Sequence, residues 1–349
     1  MKKSLLSASA LAVAVLALSV VPACVSLEEP GDEPTAQLEQ SLQVSNWSAP
    51  QQVSASTVWY AQVATLGNTT YMVHSGPGNG LRWRQLVGSA WTEPVMIPNQ
   101  TSGQRVSLAA FDGFLYMVRT DLAQNTKLWV SRFTPATGQW STSFQIPHTS
   151  YYPPALAAYN GRLYLIGVTP SDKKLWMASM STDEVFTPST PMDGHYSASR
   201  VSAAVYNCKL YIAHRAGTGM PVVFNSFDGA SWTYDQYIPV GLGGAPLQAA
   251  EPVIAERSGY LHLVHRDSAA GGDVPVWWTY FDGATWASEV TLGTATTAYG
   301  VSLTQGGAGL VAVLTTSYNS IASSMQFSQS RPIFFPLCSV VLPPPIVLE

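Results

Sequence analysis

The segment Asn160-Gly161-Arg162-Leu163-Tyr164-Leu165-Ile166 joins a two-residue turn to a short apolar strand, and variants of it recur along the chain. The strand part returns as Thr70-Tyr71-Met72-Val73, Leu115-Tyr116-Met117-Val118, Leu210-Tyr211-Ile212-Ala213, Leu261-His262-Leu263-Val264 and Leu310-Val311-Ala312-Val313. Successive second positions of these segments lie 45, 48, 47, 51 and 49 residues apart. Turn pairs such as Asp112-Gly113, Asn160-Gly161 and Gly306-Gly307 stand in front of the strands, as in tight hairpins. A fixed period of this length is a statement about architecture before it is one about any single element.

Three further registers complete the unit. An aromatic opens one of them, at Trp47, Trp91, Trp140, Phe186, Trp232 and Trp286. Another strand shows in Lys127-Leu128-Trp129-Val130, Lys174-Leu175-Trp176-Met177 and Val276-Trp277-Trp278. The last precedes the turn, as in Val106-Ser107-Leu108-Ala109-Ala110 and Val201-Ser202-Ala203-Ala204-Val205. Four short strands per unit match a propeller blade, whereas a sandwich does not show six near-equal repeats. The sequence therefore predicts an all-β chain, a six-bladed β-propeller with four-stranded blades over residues 46–329. The aromatic register starts early, at Trp47, and is missing after the sixth hairpin, so the N-terminal strand over 47–53 is expected to close the ring by completing the last blade. The repeated Trp and Phe are expected to pack between blades.

Ser226-Phe227-Asp228-Gly229-Ala230-Ser231-Trp232 and Tyr280-Phe281-Asp282-Gly283-Ala284-Thr285-Trp286 resemble the Asp-box turn of sialidase-like propellers. The repeats are also similar to those of bacterial and fungal propeller lectins. The resemblance spans residues 47–329 and implies fold more than activity.

The remaining segments speak of export. Lys2 and Lys3, an apolar run over 5–21 and Val21-Pro22-Ala23 before Cys24 have the order of a secretory signal over 1–23. The run is short for a membrane-spanning helix. Val21-Pro22-Ala23-Cys24 resembles a bacterial lipobox, which implies lipidation of Cys24; Pro22 departs from the usual pattern and leaves ordinary cleavage open. Residues 24–45 carry Glu28, Glu29, Asp32, Glu33 and Glu39 without Lys or Arg, and read as a disordered acidic tether. The expected address is a bacterial membrane-anchored lipoprotein at the cell surface or facing the periplasm. With Cys24 lipidated, Cys208 and Cys338 are left either as a disulfide or as separate buried thiols. Residues 330–349 form a Pro-rich apolar tail that packs under the propeller or meets a partner.

In an up-and-down blade the loop after the second strand and the loop entering the next blade share one face. That places His74, Arg119, His214 and His265, followed by Arg215 and Arg266, with His148, Tyr151, Tyr152, His195 and Tyr196 on a candidate ligand-binding face. The innermost strands are read as starting at Tyr60, Arg105, Pro153, Arg200, Glu251 and Gly300, around the mouth of the central channel. Tyrosine rings and polar side chains on such a face suit a sugar, whose apolar side packs on the ring and whose hydroxyls need hydrogen bonds. A catalytic reading takes Arg105 and Arg200 as clamps for a substrate carboxylate, Glu251 as charge partner or base and Tyr299 as nucleophile. It resembles the sialidase pattern in part only, with two arginines at equivalent positions instead of three.

His74, His214 and His265 form no close metal-ligand pair such as His-x-x-x-His with one another, so neither metal nor cofactor is expected. A formal net charge of -4 gives no footprint for nucleic acid. The expectation is an exported, lipid-anchored propeller that binds a carbohydrate or another envelope component. A sialidase-like glycoside hydrolase and a scaffold for protein partners are the rivals.

Overall fold

The computed structural model of the chain describes residues 47–53, 59–120, 126–217, 221–239, 247–267, 272–306, 309–315 and 322–328. The expected signal segment, Cys24, the tether, Cys338 and the Pro-rich tail lie outside the described residues.

The described chain is a β-propeller of antiparallel sheets. The first sheet runs outward from Trp59–Leu66 through Thr69–Ser75 and Gly80–Val87, with Ala90–Trp91 and Val95–Thr101 both pairing to its third strand. The second repeats this with Ser107–Phe111, Phe114–Thr120, Lys127–Thr134, Gln139–Trp140 and Phe144–Thr149. The third is Ala155–Tyr159, Arg162–Val168, Lys174–Met180 and Thr190–Tyr196, and the fourth Ser202–Tyr206, Lys209–Arg215, Val222–Phe227 and Gln236–Tyr237. The fifth is Ala249–Arg257, Tyr260–Asp267, Val274–Phe281 and Val290–Thr297. A last sheet joins Val301–Gln305, Gly309–Thr315 and Ala322–Ser328 to Gln51–Gln52 from the other end of the chain.

The expected six equal four-stranded blades are corrected on two points. Five sheets are complete blades of contiguous chain, whereas the last is a composite. The strand expected over 47–53 shrinks to Gln51–Gln52, paired to Ser323 and Ser324. Nor do hydrogen-bonded ladders join one sheet to the next. Neighbouring inner strands meet through side chains, because each strand's backbone groups are already used within its own sheet.

The aromatic register carries that packing. Trp140 sits with Tyr71, Leu108 and Phe133 between the first and second sheets, and Phe186 against Met180 and Leu128 between the second and third. Trp232 packs with Phe227 and Ile166, and Trp286 with Phe281 and Phe224. Trp47 lies against Trp278 and Leu303, and Trp91 against Val63 and Val313, so the composite sheet is wedged on both sides. In the Asp-box-like turns, Asp228 Oδ1 accepts from the amides of Ala230 (2.8 Å) and Ser231 (2.9 Å), and Asp282 Oδ1 from Ala284 and Thr285 (both 2.7 Å). Those carboxylates close turns, and their pKa values lie below the usual range.

Candidate functional site

The second strand of each blade is flanked by partners in its own sheet and covered by neighbouring sheets on both faces. Its residues are consequently buried almost without exception, as Thr69–Ser75 and Phe114–Thr120 illustrate. This decides the fate of the histidine register. His74 is fully buried, its Nε2 accepting from Arg84 Nε (3.2 Å) while Nδ1 faces the Ser75 carbonyl (3.2 Å). Burial lowers its pKa to about 4. His214 is also fully buried, against Asn225 Oδ1 (3.2 Å), and burial lowers its pKa. His265 is bonded to Glu289 (3.0 Å), and Arg119 donates to Ser143 (3.1 Å) and lies over the Trp129 ring.

His195 is held by Asp235 at 2.7 Å, inside the same network as Asn225. Burial would raise the pKa of Asp235, but hydrogen bonds from His195 and Asn225 outweigh it and the net displacement is downward. His148 packs on Trp176 and Phe186. Of the ligand-binding candidates, His74, Arg119, His148, His195, His214 and His265 are thus buried in the interior. Tyr151 and Tyr196 are exposed but do not line the axial cavity, and Lys173 Nζ sits 2.9 Å from the Tyr151 ring centroid. The side chain of Tyr60 lies outside the described residues.

One residue further along, the alternation of the strand turns Arg215 and Arg266 toward the axis. There they meet the other group of predicted residues. A cavity of about 380 Å³ at one end of the axis is lined by Arg105, Tyr152, Arg200, Arg215, Glu251, Arg266 and Tyr299, with Gln104 and Ser199 between them. Four arginines against one glutamate leave it formally +3, opposite in sign to the chain as a whole. A low-dielectric cleft of one sign focuses potential on an oppositely charged ligand.

The four guanidiniums have different duties. Arg105 donates to the Val301 carbonyl (2.6 Å) and the Tyr299 carbonyl, and Arg200 to the Val106 carbonyl (3.2 Å). Each thereby ties a strand start to one two blades away, across the channel. Both residues, expected as clamps for a substrate carboxylate, thus also hold the backbone around the channel. Burial, then the nearby Arg105, lower the Arg200 pKa to about 9, against the opposing pull of Glu251. Arg215 is lowered by burial and by Arg266 beside it. Arg266 Nε is buried with no hydrogen-bond partner among the described residues.

Glu251 is placed with unusual effort. It sits in a bulge between Ala250 and Val253 and takes φ +51°, a region that costs a non-glycine residue about 1–2 kcal/mol. Its Oε2 is buried without a hydrogen-bond partner among the described residues. Gly300, at φ +84°, makes the room: a Cβ there would lie 1.7 Å from Glu251 Oε2 and 3.2 Å from Arg105 Nη2. Gly300→Ala should cost about 1–2 kcal/mol through its own backbone and displace the carboxylate as well. Urea melts of Gly300→Ala, Glu251→Ala and the double variant check this. The double variant should recover the share due to the clash, and strict additivity would refute the contact.

Gln104 and Ser199 were not among the predicted residues. Their signal was available, because each directly precedes an arginine at an equivalent repeat position. Among the described residues no three His, Cys, Asp or Glu gather in a metal-binding cluster.

No protein-family model matches the chain, and no curated protein matches it significantly. The solved structures offer likeness in fold. AofleA from Arthrobotrys oligospora is 11% identical with a TM-score of 0.60, covering 82% of this chain and 87% of its own. A protein of unknown function from Dyadobacter fermentans is 14% identical with a TM-score of 0.58, covering 81% and 98%. The Hadza microbial sialidase Hz136 is 12% identical with a TM-score of 0.58, covering 78% of this chain and 66% of its own.

Proposed function

We propose that this chain is an exported, lipid-anchored propeller that binds an acidic glycan of the cell envelope in the axial cavity. The observation that carries this reading is the cationic cavity itself, with Arg215 and Arg266 on its wall, and Tyr152 and Tyr299 beside them. A carboxylate or sulfate on the sugar would take charge-assisted bonds from the guanidiniums, and a tyrosine ring would cover the apolar side of the pyranose. The likeness in fold to a sialidase is compatible with this reading.

A glycan array of acidic and neutral sugars, followed by calorimetry on hits, tests it. Acidic members should be retained, and Arg215→Ala and Arg266→Ala should each weaken binding about tenfold or more, the worth of one charge-assisted contact. Equal retention of neutral glycans, or full affinity in both variants, would refute the assignment. The hydrolase reading draws on Glu251 and Tyr299 sharing the cavity. It requires turnover of an aryl glycoside that is lost in Glu251→Gln and Tyr299→Phe. Anchoring is read separately: a clickable fatty acid should label the wild type and spare Cys24→Ala.

A further inference from the structure

The loop that enters the third blade, between Phe144–Thr149 and Ala155–Tyr159, sets Tyr151 beside Tyr152. Of the two, Tyr152 lines the cavity at the mouth and Tyr151 stands outside it, with 45% of its surface exposed. The ring centroids are 4.8 Å apart and the planes cross at 86°. That separation is comparable to the width of a pyranose ring.

An exposed tyrosine on a loop is ordinary, but this one is held on every side. The Ser150 hydroxyl donates to the Val168 carbonyl (3.2 Å) and accepts from the Val168 amide (3.0 Å), and the Tyr151 amide donates to the same carbonyl (2.8 Å). Lys173, from the hairpin joining Arg162–Val168 to Lys174–Met180, brings its Nζ to 2.9 Å from the Tyr151 ring centroid. The ammonium is itself fixed by donating to the Pro170 carbonyl (3.2 Å). Lys173 does this at φ +62°, a conformation uncommon for lysine. The neighbouring Asp172 pairs with Lys174 (3.6 Å), so the carboxylate nearest in sequence is engaged elsewhere.

The same loop is tied to the arginine-lined wall. The Tyr152 hydroxyl donates to the Ala198 carbonyl (3.3 Å), and the Ala198 amide donates to the Arg215 carbonyl (3.0 Å). Tyr151 and Lys173 thus form a ledge continuous with the mouth. A rigid aromatic offers contact area at little cost in ordering, and the ammonium supplies a positive charge beyond those of the cavity. A single sugar seated in the cavity would leave this ledge bare, whereas a chain of acidic sugars would lay its second unit there.

We propose that Tyr151 and Lys173 form a second subsite, which takes the next unit of an acidic glycan whose first unit occupies the cavity. The ligand is then a chain of at least two sugar units with repeated acidic groups, not a single acidic sugar. This inference rests on the reading of the mouth as an acidic-glycan site.

Calorimetry on the full chain tests it with two ladders, galacturonic acid and N-acetylneuraminic acid, each as monomer, dimer and trimer. In the ladder that binds, the dimer should be at least about fivefold tighter than the monomer, the worth of one ring contact, and the trimer little tighter than the dimer. Tyr151→Ala and Lys173→Met should each remove most of that gain while leaving the monomer within about twofold of the wild type. Arg215→Ala and Arg266→Ala should weaken monomer and dimer alike. Equal affinity for monomer and dimer in the wild type would overturn the subsite and leave the mouth standing. So would a Tyr151→Ala variant that weakens the monomer as much as the dimer, since the ring would then serve only to prop Tyr152. Binding of neither ladder would overturn the reading of the mouth, and the subsite with it.

Discussion

Acidification from pH 7 to pH 4 should strip about 6 kcal/mol from the stability of this propeller through two buried histidines. His74 and His262 are both fully buried, and burial lowers each pKa from 6.5 to about 4. In both, a ring nitrogen accepts from a fixed donor, Arg84 Nε at 3.2 Å for His74 and Trp278 Nε1 at 3.1 Å for His262. A proton added there would face another N–H inside the core. The unfolded chain has no such bar, so between pH 6.5 and about 4 it binds more protons than the folded one and stability falls with pH. The gap between the two values is worth about 3 kcal/mol for each histidine.

Three aspartates act in a lower window. Asp235, Asp228 and Asp282 have folded-state values below 3.8, so their contribution is present above that pH and fades only as pH drops through the lowered values. Urea melts at pH 7.0, 5.5 and 4.5 separate the two classes. His74→Gln, whose amide can still accept from Arg84, should be weaker at pH 7 but lose less between 7 and 4.5. A wild type equally stable at pH 7 and 4.5 would refute the argument.

The same histidines show where sequence reading ends. The inner hairpins were legible because turn chemistry and strand composition agree in every unit, and counting back from the turns led to Arg105, Arg200 and Glu251 at the mouth. Trp47 announced the composite sheet by register alone, although the strand there is only Gln51–Gln52. The polar end of the second strand is harder to read, because a histidine in a strand shows its type but not its face. His214 and Arg215 are neighbours in sequence, yet one is sealed between sheets and the other lines the axis. That distinction depends on the sheet packed alongside, which no local pattern encodes. The bulge at Glu251 and the glycine space at Gly300 are tertiary matters of the same kind.

Trp278→Ala should cost about 3–5 kcal/mol, the loss expected for removing a fully buried aromatic from a packed core. Trp278 has no exposed surface and belongs to the cluster joining the fifth blade to the composite sheet, where Trp47, Leu303 and Leu310 also pack. Its removal therefore attacks the junction at which the composite sheet, completed only by the two-residue strand Gln51–Gln52, packs on the fifth blade. The urea midpoint should drop with the slope unchanged if the ring stays closed, and the slope should fall as well if the composite sheet detaches. Trp278→Phe separates the two roles of the side chain. It keeps most of the packing but removes the indole N–H, leaving His262 Nδ1 a buried acceptor without its donor, at about 1–3 kcal/mol. With that donor gone, protonating Nδ1 no longer sets two N–H groups face to face, so the pKa of His262 should rise and the acid loss attributed to it shrink. An unchanged pH slope in Trp278→Phe would show that burial alone, and not the indole, holds His262 neutral.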